Sequence, residues 1–190
     1  KFFLNLADKV MVNSIQFKKD LKKQFNVNAT CIYNPLNYDE ILKNSKKKSK
    51  KIFSNKKQLK ILNIGRFTEQ KDQITFLKAL NKIKGIIEFE AVIVGRGKLH
   101  NDLLEYIERN DLNKFVKIIN FVENPFALLK QTELFILSSK YEGLPNVLLE
   151  ALTLKKFIIS SNCPTGPKEI LLNGKGGLLF NVGNQNQLSK

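Results

Sequence analysis

Along this chain apolar residues gather in short, near-continuous runs, separated by longer stretches where they recur every three or four positions. The runs read as buried strands and the stretches as helices with one apolar face. Residues 10–12 form a first strand, stopped at Asn13, and Ser14 is placed to cap a helix to Phe25 with Ile15, Leu21 and Phe25 turned inward. Residues 30–33 form a second strand that ends at Asn34-Pro35, where proline forces an extended or turning backbone. From Leu59 the alternation becomes regular. Strands are expected at 60–64, 90–94, 116–119, 134–137, 157–159 and 177–180, with a helix capped by Asp72 running to about 83, and helices at 98–109, 124–130, after Glu142, and to 172. Strands this apolar, alternating with helices, belong to a parallel sheet covered on both faces. The expected fold class is therefore α/β, a doubly wound parallel sheet over residues 59–190. Residues 1–37 precede it, and residues 38–58 form a basic connector.

Such sheets bind ligands at the carboxyl ends of their strands. Glycine-bearing loops fall at those ends: Gly65-Arg66, Gly95-Arg96-Gly97, Glu142-Gly143 and Gly166. The most informative lies in the run from Tyr141 to Ala151, where Glu142 and Glu150 are separated by seven residues. Gly143 permits an unusual turn and Pro145 suits the first position of a helix, so Glu142 falls in a tight loop and Glu150 on the helix after it. Orphan N–H groups at that helix start attract anions. A loop carboxylate, a helix carboxylate and amides between them suit a polyhydroxylated, phosphorylated ligand. The plainer alternative is an ordinary helix start whose acidic residues answer the dipole. Arg66 offers a planar fork of donors for phosphate and Lys71 a mobile point charge, against the alternative of two exposed loop cations. Gly95-Arg96-Gly97 lacks the third glycine of a dinucleotide fingerprint and reads as a close strand-to-helix turn. His100 reads as a polar residue on the helix that follows.

Composition narrows the classes. A hydrophobic share of 43% in 190 residues supports a core, and no apolar run approaches the ~20 residues of a membrane span. Cys31 and Cys163 make neither a metal-ligand spacing nor a disulfide framework, so no metal is expected and a reducing, cytoplasmic setting is. There is no initiating Met and no signal-peptide pattern, since the chain opens in Lys1-Phe2-Phe3-Leu4; an excised piece of a longer protein is expected. The net charge of +15 is concentrated, with nine lysines between Lys43 and Lys60. That run matches nucleic acid or the anionic face of a membrane, against the plainer reading of a solvated helix end and connector. Aromatics are not interleaved with it as a stacking platform requires, so no nucleic-acid partner is expected.

Several of these motifs occur in a characteristic order. They are Gly65-Arg66-Phe67 with Lys71, Val94-Gly95-Arg96-Gly97, Ser138 through Glu142-Gly143-Leu144-Pro145-Asn146 to Glu150-Ala151, and Pro164-Thr165-Gly166-Pro167-Lys168-Glu169-Ile170. Together they resemble the carboxy-terminal, donor-binding half of the GT4-like retaining glycosyltransferases of group 1, whose architecture is GT-B with Rossmann-like domains. The segment from Ala7-Asp8-Lys9-Val10 to Asn34-Pro35 resembles the end of the amino-terminal, acceptor domain and its crossover. The resemblance implies transfer, with retained configuration, from a nucleotide-sugar donor to a glycan or lipid-linked acceptor in surface polysaccharide or glycoconjugate synthesis. It implies that Arg66 and Lys71 hold the donor diphosphate, that Glu142 lies beside the donor sugar, and that Glu150 grips the ribose hydroxyls. It further implies main-chain donors at Leu144 and Asn146, close backbone approach at Gly166, donor contacts at Gly65 and Gly143, and a nucleobase pocket at Phe121 and Val122. The last two residues also fit as sheet-edge core. No cofactor or metal is implied; the expected setting is cytoplasmic, with peripheral association with an anionic membrane left open by the lysine run. Because acceptor-domain residues are few here, this segment alone is expected to turn over poorly. The alternatives are a non-catalytic nucleotide-sugar-binding module and a basic nucleic-acid-binding protein.

Overall fold

The computed structural model describes residues 6–54 and 57–190; the opening at Phe2-Phe3-Leu4 and positions 55 and 56 of the connector lie outside them. Two parallel sheets organise the chain. β1 (Val10–Val12) and β2 (Ala29–Cys31) pair in the first, with α1 (Ile15–Phe25) between them. α2 (Tyr38–Ser45) follows. The second sheet contains β3 (Leu59–Ile64), β4 (Phe89–Val94), β5 (Val116–Ile119), β6 (Leu134–Leu137), β7 (Phe157–Ser161) and β8 (Leu178–Phe180). Its helices are α3 (Gln73–Ile83), α4 (His100–Arg109), α5 (Pro125–Lys130), α6 (Asn146–Thr153), α7 (Pro167–Ile170) and α8 (Gln185–Leu188).

The strand order is β5-β4-β3-β6-β7-β8, parallel throughout. The chain winds outward from β3 to one edge, returns, and winds outward from β6 to the other. β3 and β6 are therefore the neighbours at which the winding reverses, the position where such sheets open a crevice at their carboxyl ends.

Alternation along the central strands explains the two-sided core. Ile61, Ala91 and Ile93 face one layer with Phe76, Leu80 and Leu103, while Leu62, Val92 and Val94 face the other with Leu129, Phe135 and Leu148. β4 is buried at every position, the signature of a strand sandwiched between helices. Among the described residues no helix is long and apolar enough to cross a membrane.

Three expectations are corrected. In α1 only Leu21 is buried; Ile15 and Phe25 are 44% and 38% exposed. The two-stranded sheet beneath that helix offers it little beyond Val12 and Ala29. Asp72 stands before α3, but its carboxylate accepts from the Thr75 hydroxyl at 2.7 Å and caps no helix N–H. The connector is not solvated throughout: Lys43, where the lysine run begins, lies in the last turn of α2 as a helix end, but Phe53, 1% exposed, belongs to the core beside Leu62 and Leu128.

Candidate functional site

The crevice between β3 and β6 is built by two loops sewn together. After β3 the backbone passes so close to the end of β4 that a Cβ added at Gly95 would lie 1.9 Å from the Gly65 carbonyl oxygen. Side chains are excluded there, and this fixes the turn that presents Arg66. After β6, the Ser138 hydroxyl donates to the Lys71 carbonyl at 2.9 Å and the Lys140 N–H to the Gln70 carbonyl at 2.7 Å. The Gln70 side-chain amide returns a bond to the Tyr141 carbonyl at 3.0 Å.

Across this seam Lys71 Nζ donates to Glu142 Oε1 at 2.6 Å. The pair is largely enclosed, with side-chain exposures of 16% and 7%. The Ser139 hydroxyl also donates to Oε1, at 2.5 Å, so Glu142 Oε2 has no partner among the described residues. The backbone of Glu142 is pinned as well. Its N–H donates to the Pro164 carbonyl at 3.3 Å, and its carbonyl accepts from the Thr165 hydroxyl. Lys71's stem runs beneath Gly65, where an added Cβ would approach Lys71 Cδ to 3.3 Å. Arg66 is exposed, and among the described residues its guanidinium hydrogen-bonds only Gln70 Oε1, at 3.5 Å.

The loop from Gly143 to Asn146 forms the next wall. Gly166 has φ +80°, and a Cβ there would lie 2.4 Å from the Gly143 carbonyl oxygen, so both the turn and the contact require glycine. The main-chain N–H groups of Gly143, Leu144 and Asn146 donate to no protein acceptor among the described residues. Asn146 opens α6, and these groups therefore add to the positive end of that helix. Glu150 stands four residues after Asn146, on the same side of α6. Its half-buried carboxylate has no hydrogen bond or ion pair among the described residues, and burial raises its pKa.

The remaining candidates separate into those at the crevice and those beyond it. Phe121 lies past the end of β5, two strands from β3, and is 64% exposed with the Arg96 guanidinium 5.1 Å above its ring. Val122 is half-buried against the core. His100 stacks on Phe67 at 5.8 Å between ring centroids, a packing contact. Among the described residues no group of three or more His, Cys, Asp and Glu side chains is arranged to hold a metal. A cleft of about 630 Å³ lies beside the crevice, between α1 and the loop carrying Thr165 and Gly166.

Sequence reasoning passed over Ser139, Gln70 and Thr165, which hold Glu142 and its loop in place. A signal existed in the paired serines, Ser138-Ser139 and Ser160-Ser161, that end two apolar strands and are wholly buried.

The family model described as glycosyl transferases group 1 matches residues 44–190. An uncharacterised glycosyltransferase of Methanocaldococcus jannaschii is 35% identical over 90% of this chain and 44% of its own length. The N-acetylgalactosamine-N,N'-diacetylbacillosaminyl-diphospho-undecaprenol 4-alpha-N-acetylgalactosaminyltransferase of Campylobacter jejuni is 28% identical over 99% of this chain and 52% of its own length. The chain thus spans about half the length of these curated relatives. In fold it is similar to a glycosyltransferase of Rickettsia africae (TM-score 0.83, 22% identity, 95% of this chain and 51% of that one). It is likewise similar to Anabaena HepE in complex with UDP (TM-score 0.80, 20% identity, 96% and 52%).

Proposed function

The chain belongs to the glycosyl transferases group 1, and on that premise we propose that it is the donor-binding part of an enzyme that moves a sugar from a nucleotide-sugar to a glycan or lipid-linked acceptor with retained configuration. The observation that carries this reading is the Lys71–Glu142 pair closing the crevice at the winding reversal, with unpaired amides and an exposed Arg66 beside it.

The chemistry follows from the parts. When the sugar–phosphate bond breaks, negative charge grows on the departing diphosphate. Arg66, the remaining N–H donors of Lys71 and the amides of Gly143, Leu144 and Asn146 stabilise that charge without reorganising. This positive charge belongs to the polypeptide, so the reading includes no resident metal. Glu142 is held in place by Lys71 and Ser139, and Oε2 remains to accept from a hydroxyl of the donor sugar. Glu150, desolvated and unpaired, gains the hydrogen bonds it lacks from the ribose hydroxyls. Phe121 beneath Arg96 offers a flat, cation-backed face on which a base can stack. Departure of the diphosphate on the face where the acceptor enters retains configuration, and it needs no covalent bond to Glu142.

Surface polysaccharide or glycoconjugate synthesis is the setting, supported by the diphospho-undecaprenol-linked acceptor in the name of the Campylobacter relative and by a capsular polysaccharide biosynthesis glycosyltransferase of Staphylococcus aureus to which the chain is 30% identical over 83% of its length. It lies in the cytoplasm, where the lysine run between Lys43 and Lys60 favours contact with anionic membrane. Incubating the intact polypeptide with labelled nucleotide-sugars and assigning the product anomer by NMR tests the proposal. The expected product keeps the donor's anomeric configuration, and Arg66→Ala lowers the rate ~100-fold, an effect of the size seen on removing one charge-stabilising donor. An inverted product, or no transfer from any nucleotide-sugar, overturns it.

A further inference from the structure

Glu169 plays no part in the chemistry above, yet its carboxylate reaches across the molecule. It lies on α7, three residues after Gly166, and its hydrogen-bond partners are all within the first 33 residues. Both carboxylate oxygens accept from the Ile15 N–H at 3.1 Å, Oε2 accepts from the Gln16 N–H at 3.4 Å, and the Tyr33 hydroxyl donates to Oε1 at 2.5 Å. An α-helix starts with four N–H groups that have no acceptor within the helix. In α1 the three that follow the N-cap Ser14 are accounted for: Phe17 donates to Ser14 Oγ at 3.0 Å, and Ile15 and Gln16 donate to Glu169, while Lys18 makes the first ordinary helical bond, to the Ser14 carbonyl at 3.1 Å. Two of these three acceptor contacts on a helix in the amino-terminal unit therefore come from the donor-binding domain. The charge has the right sign, a carboxylate against the positive end of the helix dipole. The bond to Glu169, with burial secondary, pushes the Tyr33 hydroxyl up to about 12.

What lies along the chain from Glu169 gives the contact its meaning. Gly166 packs its backbone against the Gly143 carbonyl, and the Thr165 hydroxyl binds the Glu142 carbonyl, so the segment that carries Glu169 also braces the donor loop. On the facing side, Asn13, two residues before Ile15, lies against that loop: a Cβ added at Gly143 would be 3.5 Å from Asn13 Oδ1. Asn34, which follows Tyr33, donates to Asn146 Oδ1 at 2.8 Å. The Glu169 contacts and these two therefore border the same crevice.

We propose that Glu169 is a positioning residue, a latch that seats the start of α1 and Tyr33 on the rim of the donor-binding domain and so keeps Asn13 and Asn34 against the loop at Glu142–Asn146. The inference deepens the proposed function, because the site being closed is the one assigned there to the donor.

The test uses the intact polypeptide with Glu169→Ala, Glu169→Asp and Tyr33→Phe. It reads amide hydrogen exchange at Ile15 and Gln16, nucleoside diphosphate affinity, and kcat and KM for transfer. Glu169→Ala is expected to speed exchange at Ile15 and Gln16 about tenfold, while Phe17 and Lys18, capped by Ser14, change less than about twofold. It is expected to lower kcat about tenfold with nucleotide affinity held within about twofold, since closure and not binding is lost. Glu169→Asp should recover part of the loss. Tyr33→Phe leaves the backbone cap intact and should shift kcat in the same direction by less, which decides the matter if Glu169→Ala fails to fold. Unchanged exchange at Ile15 and Gln16, an unchanged kcat, or a loss of nucleotide affinity as large as the loss of rate would overturn the latch. Failure of the wild type to bind any nucleotide would instead sink the donor-site reading, and the exchange measurement would still decide the latch.

Discussion

Lys71 Nζ and Glu142 Oε1, 71 positions apart in sequence, meet at 2.6 Å where the loops after β3 and β6 face each other. The contact depends on topology. Only a sheet whose winding reverses between those strands brings the two loops together at its carboxyl edge. One pair thus joins the two halves of the sheet and supplies both signs of charge to the crevice.

Breaking that pair should cost stability as well as function. Lys71→Met leaves the Glu142 carboxylate enclosed with Ser139 as its one remaining side-chain partner among the described residues, an uncompensated buried charge that costs ~3 kcal/mol. Replacing both residues, as Lys71→Met with Glu142→Leu, should cost less than the two single changes added together. Urea unfolding of the four proteins measures this coupling, and simple additivity would refute it.

The turn at Gly95 should tolerate no side chain, whereas Gly85 should. Gly85 has φ +81° with nothing within 4 Å of an added Cβ, so Gly85→Ala is expected to cost only the ~1–2 kcal/mol of left-handed backbone. Gly95→Ala meets the Gly65 carbonyl at 1.9 Å and must push the Arg66 turn aside, with a cost of ~3 kcal/mol or more. Equal melting temperatures for the two variants would contradict the packing described.

The two carboxylates of the crevice should fail differently. Glu150→Ala removes hydrogen bonds made to bound nucleotide and should weaken its binding ~10- to 100-fold, the usual range for bonds to a charged group. Glu142→Gln keeps an acceptor near the sugar but loses the charge paired with Lys71, so kcat should fall more than donor affinity. Isothermal titration beside steady-state kinetics separates the two. Identical profiles would merge the roles assigned to them.

Glu150 also predicts a pH dependence. Burial raises its pKa above the ordinary 4.5, so between the unfolded and folded values the native state holds the extra proton. Its contribution to stability is complete below the unfolded value and is lost as pH rises through the folded one. Glu150→Gln, which has no proton to lose, should therefore gain on the wild type between pH 4 and pH 7. Chemical denaturation at both values tests the sign, and a variant whose advantage shrinks with rising pH would contradict it.

Much of this architecture is legible in the chain because each central strand is a compact apolar run, and the motif glycines mark where strands end. What the sequence left hidden has local causes. The order in which strands pair depends on contacts between distant residues, so the neighbouring of β3 and β6 appears only in the fold. α2 was not read as a helix of its own ahead of the lysine run, although Asn37 Oδ1 accepts from the Glu40 N–H at 3.1 Å as an N-cap and the Asn37 side-chain amide donates to Glu40 Oε2 at 2.9 Å, a pattern visible as Asn followed three residues later by Glu. Ile15 was expected inward on apolar spacing, but its N–H is the part put to use, in the bonds to Glu169. Arg66, Lys71, Glu142 and Glu150 were all nominated from their loops and spacing; that Lys71 and Glu142 bind each other was not, since spacing says nothing of partners across a crevice.

The central claim is that this crevice holds a nucleoside diphosphate through Arg66, Lys71 and the amides at the start of α6. Titrating UDP, GDP and ADP into the intact polypeptide and into its Arg66→Ala variant tests it most directly, because Arg66 is exposed and its loss leaves the fold intact. At least one diphosphate should bind at micromolar to millimolar concentration and weaken ~10-fold or more in the variant, as loss of a charge-assisted contact requires. Binding of none at millimolar concentration, or equal binding by both proteins, would contradict the account.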